Sequence, residues 1–175
     1  MTSGRVNLYV FLMLFPVALL YSLPHVALWG LRSFYGGLVH FMLYFIPLVI
    51  AGIFLHELLH GIGWSFFTKR GIKSVRFGFS LRYLAPWCHC KEPLKVKHYK
   101  VGAALPMLVL GVIPGLLGIL TGKAGLTVFG IIFSWTAGGD IISLFMLRKL
   151  DNNSYVFDHP GKMGFYTKRN FKEPA

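Results

Sequence analysis

Four long apolar runs constrain this chain more than any other feature. A helix needs roughly 20 mostly apolar residues to cross a bilayer, and runs of that kind lie at residues 7–29, 37–67, 101–120 and 124–147. Little polar surface remains to coat a soluble fold. Of 175 residues, 55% are hydrophobic and 14% charged, against about 25% charged in an average soluble domain. The same balance excludes intrinsic disorder, which needs low hydrophobicity. A nucleic-acid binder would fit the net charge of +12 but not the long apolar runs. The expected fold class is therefore an α-helical polytopic membrane protein. Four transmembrane helices would form a single membrane-embedded domain over 1–175, with a loop at 68–100 and a tail at 148–175. The first run follows Arg5 as a signal peptide would, but it exceeds signal-peptide length and no small-x-small cleavage site follows it. It is read as a span.

Basic residues give the orientation. With four spans, the amino terminus, the loop and the tail share one side, which holds 16 of the 18 Lys and Arg residues. Only Arg32 and Lys123 fall on the other. Positive flanks stay cytoplasmic, so the chain is expected to be a multi-pass cell-membrane protein with both termini cytoplasmic. The basic excess is a topology signal, aided by anionic lipid. The lipid bilayer is the expected partner, and nucleic acid gains no support.

Of the six acidic residues, only Glu57 and Asp140 fall inside spans. Burying an ionisable group in a membrane helix costs at least a few kcal/mol, so such a group faces a cavity, a partner or an ion. Glu57 sits in His56-Glu57-Leu58-Leu59-His60. Two His residues at i and i+4 lie about 6 Å apart along a helix and about 40° apart around it. Both imidazoles can then reach one Zn2+, with the intervening Glu acting on water. Composition alone predicts about 0.005 such motifs in a chain like this. The bland alternative is an interfacial His pair beside a snorkelling Glu. A zinc site of this kind needs a third protein ligand. Asp140 lies eight residues before Arg148 and His60 nine before Lys69, so both sit about 12 Å inside the same basic flank. Matching depth makes Asp140 the candidate; alternatively it bonds Thr136 or Ser143 on its own helix.

At this point a resemblance enters. An HExxH on one membrane helix with an Asp on a later one resembles the site-2 protease class of intramembrane zinc proteases. More narrowly, the motif at His56–His60, the stretch Cys88 to Tyr99 and Ala137-Gly138-Gly139-Asp140 resemble a bacterial family described as zincin peptidases. The resemblance implies His56, His60 and Asp140 as zinc ligands, Glu57 as general base, and a membrane-associated protein or peptide as substrate. The sequence departs from the site-2 pattern after Asp140, where Ile141 stands in place of Gly.

Such an enzyme must hold its substrate extended. Val75, Phe77, Phe79, Leu81 and Tyr83 alternate with Ser74, Arg76, Gly78, Ser80 and Arg82, a period of two that reads as a strand ended by Pro86. Its edge could pair with an extended peptide through Val75, Phe77, Phe79 and Leu81, or the strand or hairpin could merely pack on the bundle. Cys88, His89, Cys90 and His98 could form a second metal site, though the Cys spacing is too tight for usual zinc modules. Asp158-His159-Pro160 reads as a turn, and His25 and His40 as interfacial. Gly111 and Gly115 suit a small-xxx-small helix contact. The expected function is zinc-dependent proteolysis at the membrane. The rival is a non-proteolytic zinc-binding adaptor or sensor. A transporter would need polar residues along several spans.

Overall fold

The computed structural model describes residues 3–81, 85–158 and 165–167. Arg82 and Tyr83 of the expected strand, and His159 and Pro160 of the expected turn, lie outside the described residues. Helix α1 spans Ser3–Leu43 and is broken at Gly30, where φ is +81° and ψ 159°. Glycine alone adopts that conformation without strain. A turn at Tyr44 separates it from α2, Phe45–Ser65. The second span thus starts at Phe45 rather than Gly37; an uninterrupted apolar run carries no mark of a turn within it. Two short strands follow, β1 (Val75–Ser80) and β2 (Ala85–Cys90), then β3 (Leu94–Lys95) and α3 (Val96–Pro106). A π-helical segment, Met107–Val112, leads into α4 (Ile113–Thr121). After it come α5 (Ala124–Thr136), α6 (Gly138–Leu147), β4 (Tyr155–Asp158) and β5 (Phe165–Thr167).

Three helical stretches are long and apolar enough to cross a membrane: Asn7–Leu43, Phe45–Ser65 and Val96–Thr121. Helices α5 and α6 meet at 52° and make a fourth only if taken as one broken span. The break falls at Ala137, whose ψ of 8° leaves the helical range, just before two glycines with low helix propensity.

The chain divides into two compact units, residues 1–53 with 106–140 and residues 54–105 with 141–175. In the first, small residues let helices approach closely. A Cβ on Gly111 would strike Ser134, and one on Gly130 would strike Gly115, so the expected small-residue contact is present. The π segment ends against Pro114, whose ring has no N–H and crowds the carbonyl four residues back. Buried polar groups pair across the packed helices: Tyr21 with Ser134 at 3.0 Å and His25 with Thr127 at 2.9 Å. His25 is fully buried among the packed helices. The Thr127 hydroxyl satisfies Nδ1, while Nε2 is buried without a hydrogen-bond partner among the described residues.

The second unit has its own core of Trp64, Cys90, Leu94, Val96, Tyr99, Ala103, Leu147 and Val156. Strands β1 and β2 form an antiparallel hairpin pairing Val75 with Cys90 and Phe79 with Pro86. Pro86 therefore stands inside β2 instead of ending β1, and Leu81 lies past the end of β1, exposed in a turn. The tail contributes to a second sheet of order β3-β4-β5, with Leu94 opposite Val156 and both side chains in the core. Asp151 starts this return by accepting the backbone N–H of Asn153 at 3.0 Å, an Asx turn.

Candidate metal centre

One turn of α2 separates His56 from His60, and their rings lie 4.8 Å apart, nearly perpendicular. His60 is 6% exposed and His56 half-buried. Asp140 stands in the first turn of α6. Its helical face continues through Leu144 and Leu147 at i+4 and i+7, which pack with Trp64 and Tyr99. The outcome is that one nitrogen from each His and a carboxylate oxygen of Asp140 lie within 4.8 Å of one another. Thr136, considered above as a partner for Asp140, instead donates to the Phe133 carbonyl at 3.2 Å.

Two imidazoles and one carboxylate are a donor set suited to zinc. Tetrahedral ligands at about 2.0–2.2 Å from the ion stand about 3.3–3.6 Å apart, so a contraction of at most about 1.2–1.5 Å would close the site. The orientation of His60 favours the same fit. Its Nδ1 donates to the carbonyl oxygen of Gly102 at 2.9 Å, which in a neutral ring leaves the Nε2 lone pair for a metal.

The Gly102 carbonyl is available for a local reason that sequence reading missed. In a regular helix it would accept the N–H of residue 106, but residue 106 is proline and has none. Close approach completes the arrangement. A Cβ on Gly63 would lie 2.7 Å from the Gly102 Cα, and one on Gly102 would strike the Trp64 indole. The signal was legible as Gly102 four residues before Pro106, but only with its recipient known. Trp64 in turn stacks on His60 at 5.2 Å and 12° and donates its Nε1–H to the Tyr99 carbonyl at 3.1 Å.

The hairpin lies against the same helix. Val75 and Phe77 fill the space that a Cβ on Gly61, next to His60, would need. Which edge of the hairpin is open follows from the pairing. Lys91 N–H bonds the Ser74 carbonyl at 2.9 Å, so by antiparallel alternation Arg76, Gly78 and Ser80 bond across to β2. Phe77 and Phe79 then turn their backbone N–H and C=O groups toward the other edge of β1, as does the Val75 carbonyl, while the Val75 N–H bonds the Ile72 carbonyl. Pro86 opposite Phe79 agrees, since at that register nothing is asked of its missing N–H. Among the described residues β1 has β2 as its sole strand neighbour.

Cys88, His89, Cys90 and His98 do not form a metal cluster: among the described residues, the three already named are the group that could. His98 stacks on Phe67 at 4.3 Å. His89 Nδ1 lies 3.0 Å from Asp158 Oδ2, which also accepts the Cys90 N–H at 3.1 Å, while Tyr99 Oη–H donates to Oδ1 at 3.1 Å. Asp158 is thus the end of a strand with three partners, not a turn residue. Burial pushes its carboxyl above the ordinary range, against the pull of those donors. Burial likewise pushes the Cys90 thiol up to about 11. The Cys88 thiol goes higher still, by burial and then by the charges of Glu57 and Asp158. With a pKa of about 11, about 0.1% of Cys90 is thiolate at pH 8. Iodoacetamide labelling of the folded protein should therefore be slow at pH 8 and rise about tenfold per pH unit toward 11. Levelling near pH 8.5, as for an exposed thiol, would contradict this.

A search of curated proteins and one of solved structures each return no match. A family model described as "Putative zincin peptidase" matches residues 49–155, a segment that holds α2 from its second turn onward, the hairpin, α3 and Asp140. That is more than half of the chain, and the protein belongs to this zincin peptidase family.

Proposed function

We propose that the chain is a zinc-dependent, membrane-embedded endopeptidase that hydrolyses peptide bonds of membrane or membrane-proximal proteins. The observation that carries this reading is the convergence of His56, His60 and Asp140 ligand atoms within 4.8 Å beside a Glu of the HExxH spacing. These three residues would hold the ion, with His60 offering Nε2. When bound, zinc polarises the scissile carbonyl and lowers the pKa of a water toward about 7. Glu57 takes the proton of the attacking water and later returns it to the leaving amine. No covalent intermediate with the enzyme is needed. The open edge of β1, at Phe77, Phe79 and the Val75 carbonyl, holds the substrate extended by strand addition; Leu81, beyond the strand, would meet only the emerging chain. The sidedness of basic residues supports cytoplasmic termini, with the reaction near the cytoplasmic face as in site-2 proteases.

Metal analysis of the purified chain tests the ligand set. Wild type should carry about one zinc per chain, and His56→Ala and Asp140→Ala should each lose most of it, since removing one of three protein ligands leaves an incomplete site. Zinc retained in Asp140→Ala together with full turnover would remove Asp140 from the site.

A further inference from the structure

The tail residue Asp158 has no part in the chemistry above, yet its carboxylate joins the two parts of the second unit on which that chemistry would depend. We propose that Asp158 is a positioning residue that holds the β1–β2 hairpin and the His60-orienting backbone of α3 in one frame; the metal half of this inference rests on the zinc reading above. One oxygen serves the hairpin. Oδ2 accepts His89 Nδ1–H and the Cys90 N–H. Cys90 pairs with Val75 at a register where its N–H points away from β1, so the carboxylate satisfies an outward group of β2 and covers that end of its outer edge. A sheet edge covered in this way cannot accept an added strand there, which leaves β1 as the receiving side.

The other oxygen serves the metal side. Oδ1 accepts the Tyr99 hydroxyl. The Tyr99 carbonyl takes Trp64 Nε1–H, Trp64 stacks on His60, and Gly102, one helical turn after Tyr99, takes His60 Nδ1–H. Asp158 is itself anchored, because Val156, two residues earlier on the same face of β4, is fully buried opposite Leu94. The carboxylate therefore fixes how far the docking strand stands from the imidazole that would bind the metal. Outer partners of metal ligands tune affinity about 10–100-fold; a group one link further out should act more weakly.

Three variants of the full chain in detergent separate the two links. The readouts are the visible spectrum and affinity of added Co2+, and amide exchange across residues 75–90. Tyr99→Phe cuts the Oδ1 link alone. It should shift the Co2+ bands and weaken Co2+ binding about three- to tenfold, with hairpin exchange as in wild type. His89→Ala weakens the Oδ2 link and should speed hairpin exchange about tenfold with an unchanged Co2+ spectrum. Asp158→Asn should do both. If Asp158→Asn does not fold, the two single-link variants carry the test. Unchanged spectrum and exchange overturn the proposal, as do changes in both readouts that track loss of thermal stability in every variant, the mark of a general structural role. A wild-type chain that binds neither Zn2+ nor Co2+ would instead overturn the zinc reading, and the exchange measurement would then decide the hairpin half alone.

Discussion

Replacing Glu57 by Gln should lower peptide hydrolysis by about 10²–10⁴-fold, the range that a positioned general base contributes, while zinc stays bound. The substitution keeps the length and planarity of the side chain and leaves His56, His60 and Asp140 untouched. What it removes is basicity, so the proton of the attacking water has no acceptor. The measurement pairs turnover of casein as an unstructured probe with zinc content from the same preparation. It also separates the two function classes that the composition allowed. An adaptor or sensor needs the ion and not the base, and would keep its biological activity in Glu57→Gln. Full casein turnover by the variant would rule out Glu57 as the base.

How much of this could be read without coordinates depends on the range of the interactions concerned. The His56–His60 face was legible because helical periodicity is a local property, and Asp140 was singled out because it stands eight residues before Arg148, nearly the distance of His60 before Lys69. The alternation that predicts β1 is local too, and β1 is found at Val75–Ser80. A hairpin was among the expectations, but its second strand β2 was not located because Pro86 reads as a terminator. Proline is excluded only where a cross-strand N–H is required, and register decides that. The turn at Tyr44 and the bend at Ala137 sit inside apolar runs, where hydropathy is blind to direction, whereas the break at Gly30 falls just past the end of the first run. The strand Tyr155–Asp158 is four residues long, too short for a periodic signal, and is made by pairing with Leu94–Lys95 some 60 positions earlier. The joint effect of Gly102 and Pro106, a carbonyl released toward His60, exists only once α2 and α3 are packed.

Phe79→Pro should abolish most cleavage, by about 10²-fold, with zinc content and the hairpin preserved. The expectation follows from where the N–H of residue 79 points. By the alternation of the ladder it faces the open edge of β1 and not β2, so proline removes nothing that the hairpin uses. The residue before it is Gly78, which tolerates the restriction that proline places on its neighbour. An incoming peptide, however, loses one backbone hydrogen bond, worth about 0.5–1.5 kcal/mol, and meets a ring on an edge that proline is known to block. Together these reach roughly the 2.7 kcal/mol that a hundredfold change requires. Phe79→Ala provides the control: it keeps the N–H, removes the half-exposed ring, and should cost much less. Should the two variants lose activity equally, side-chain contact and not strand addition would be the basis of binding. Wild-type cleavage by Phe79→Pro, with amide exchange showing the hairpin intact, would leave β1 as a packing element and require substrate to reach Glu57 by another route.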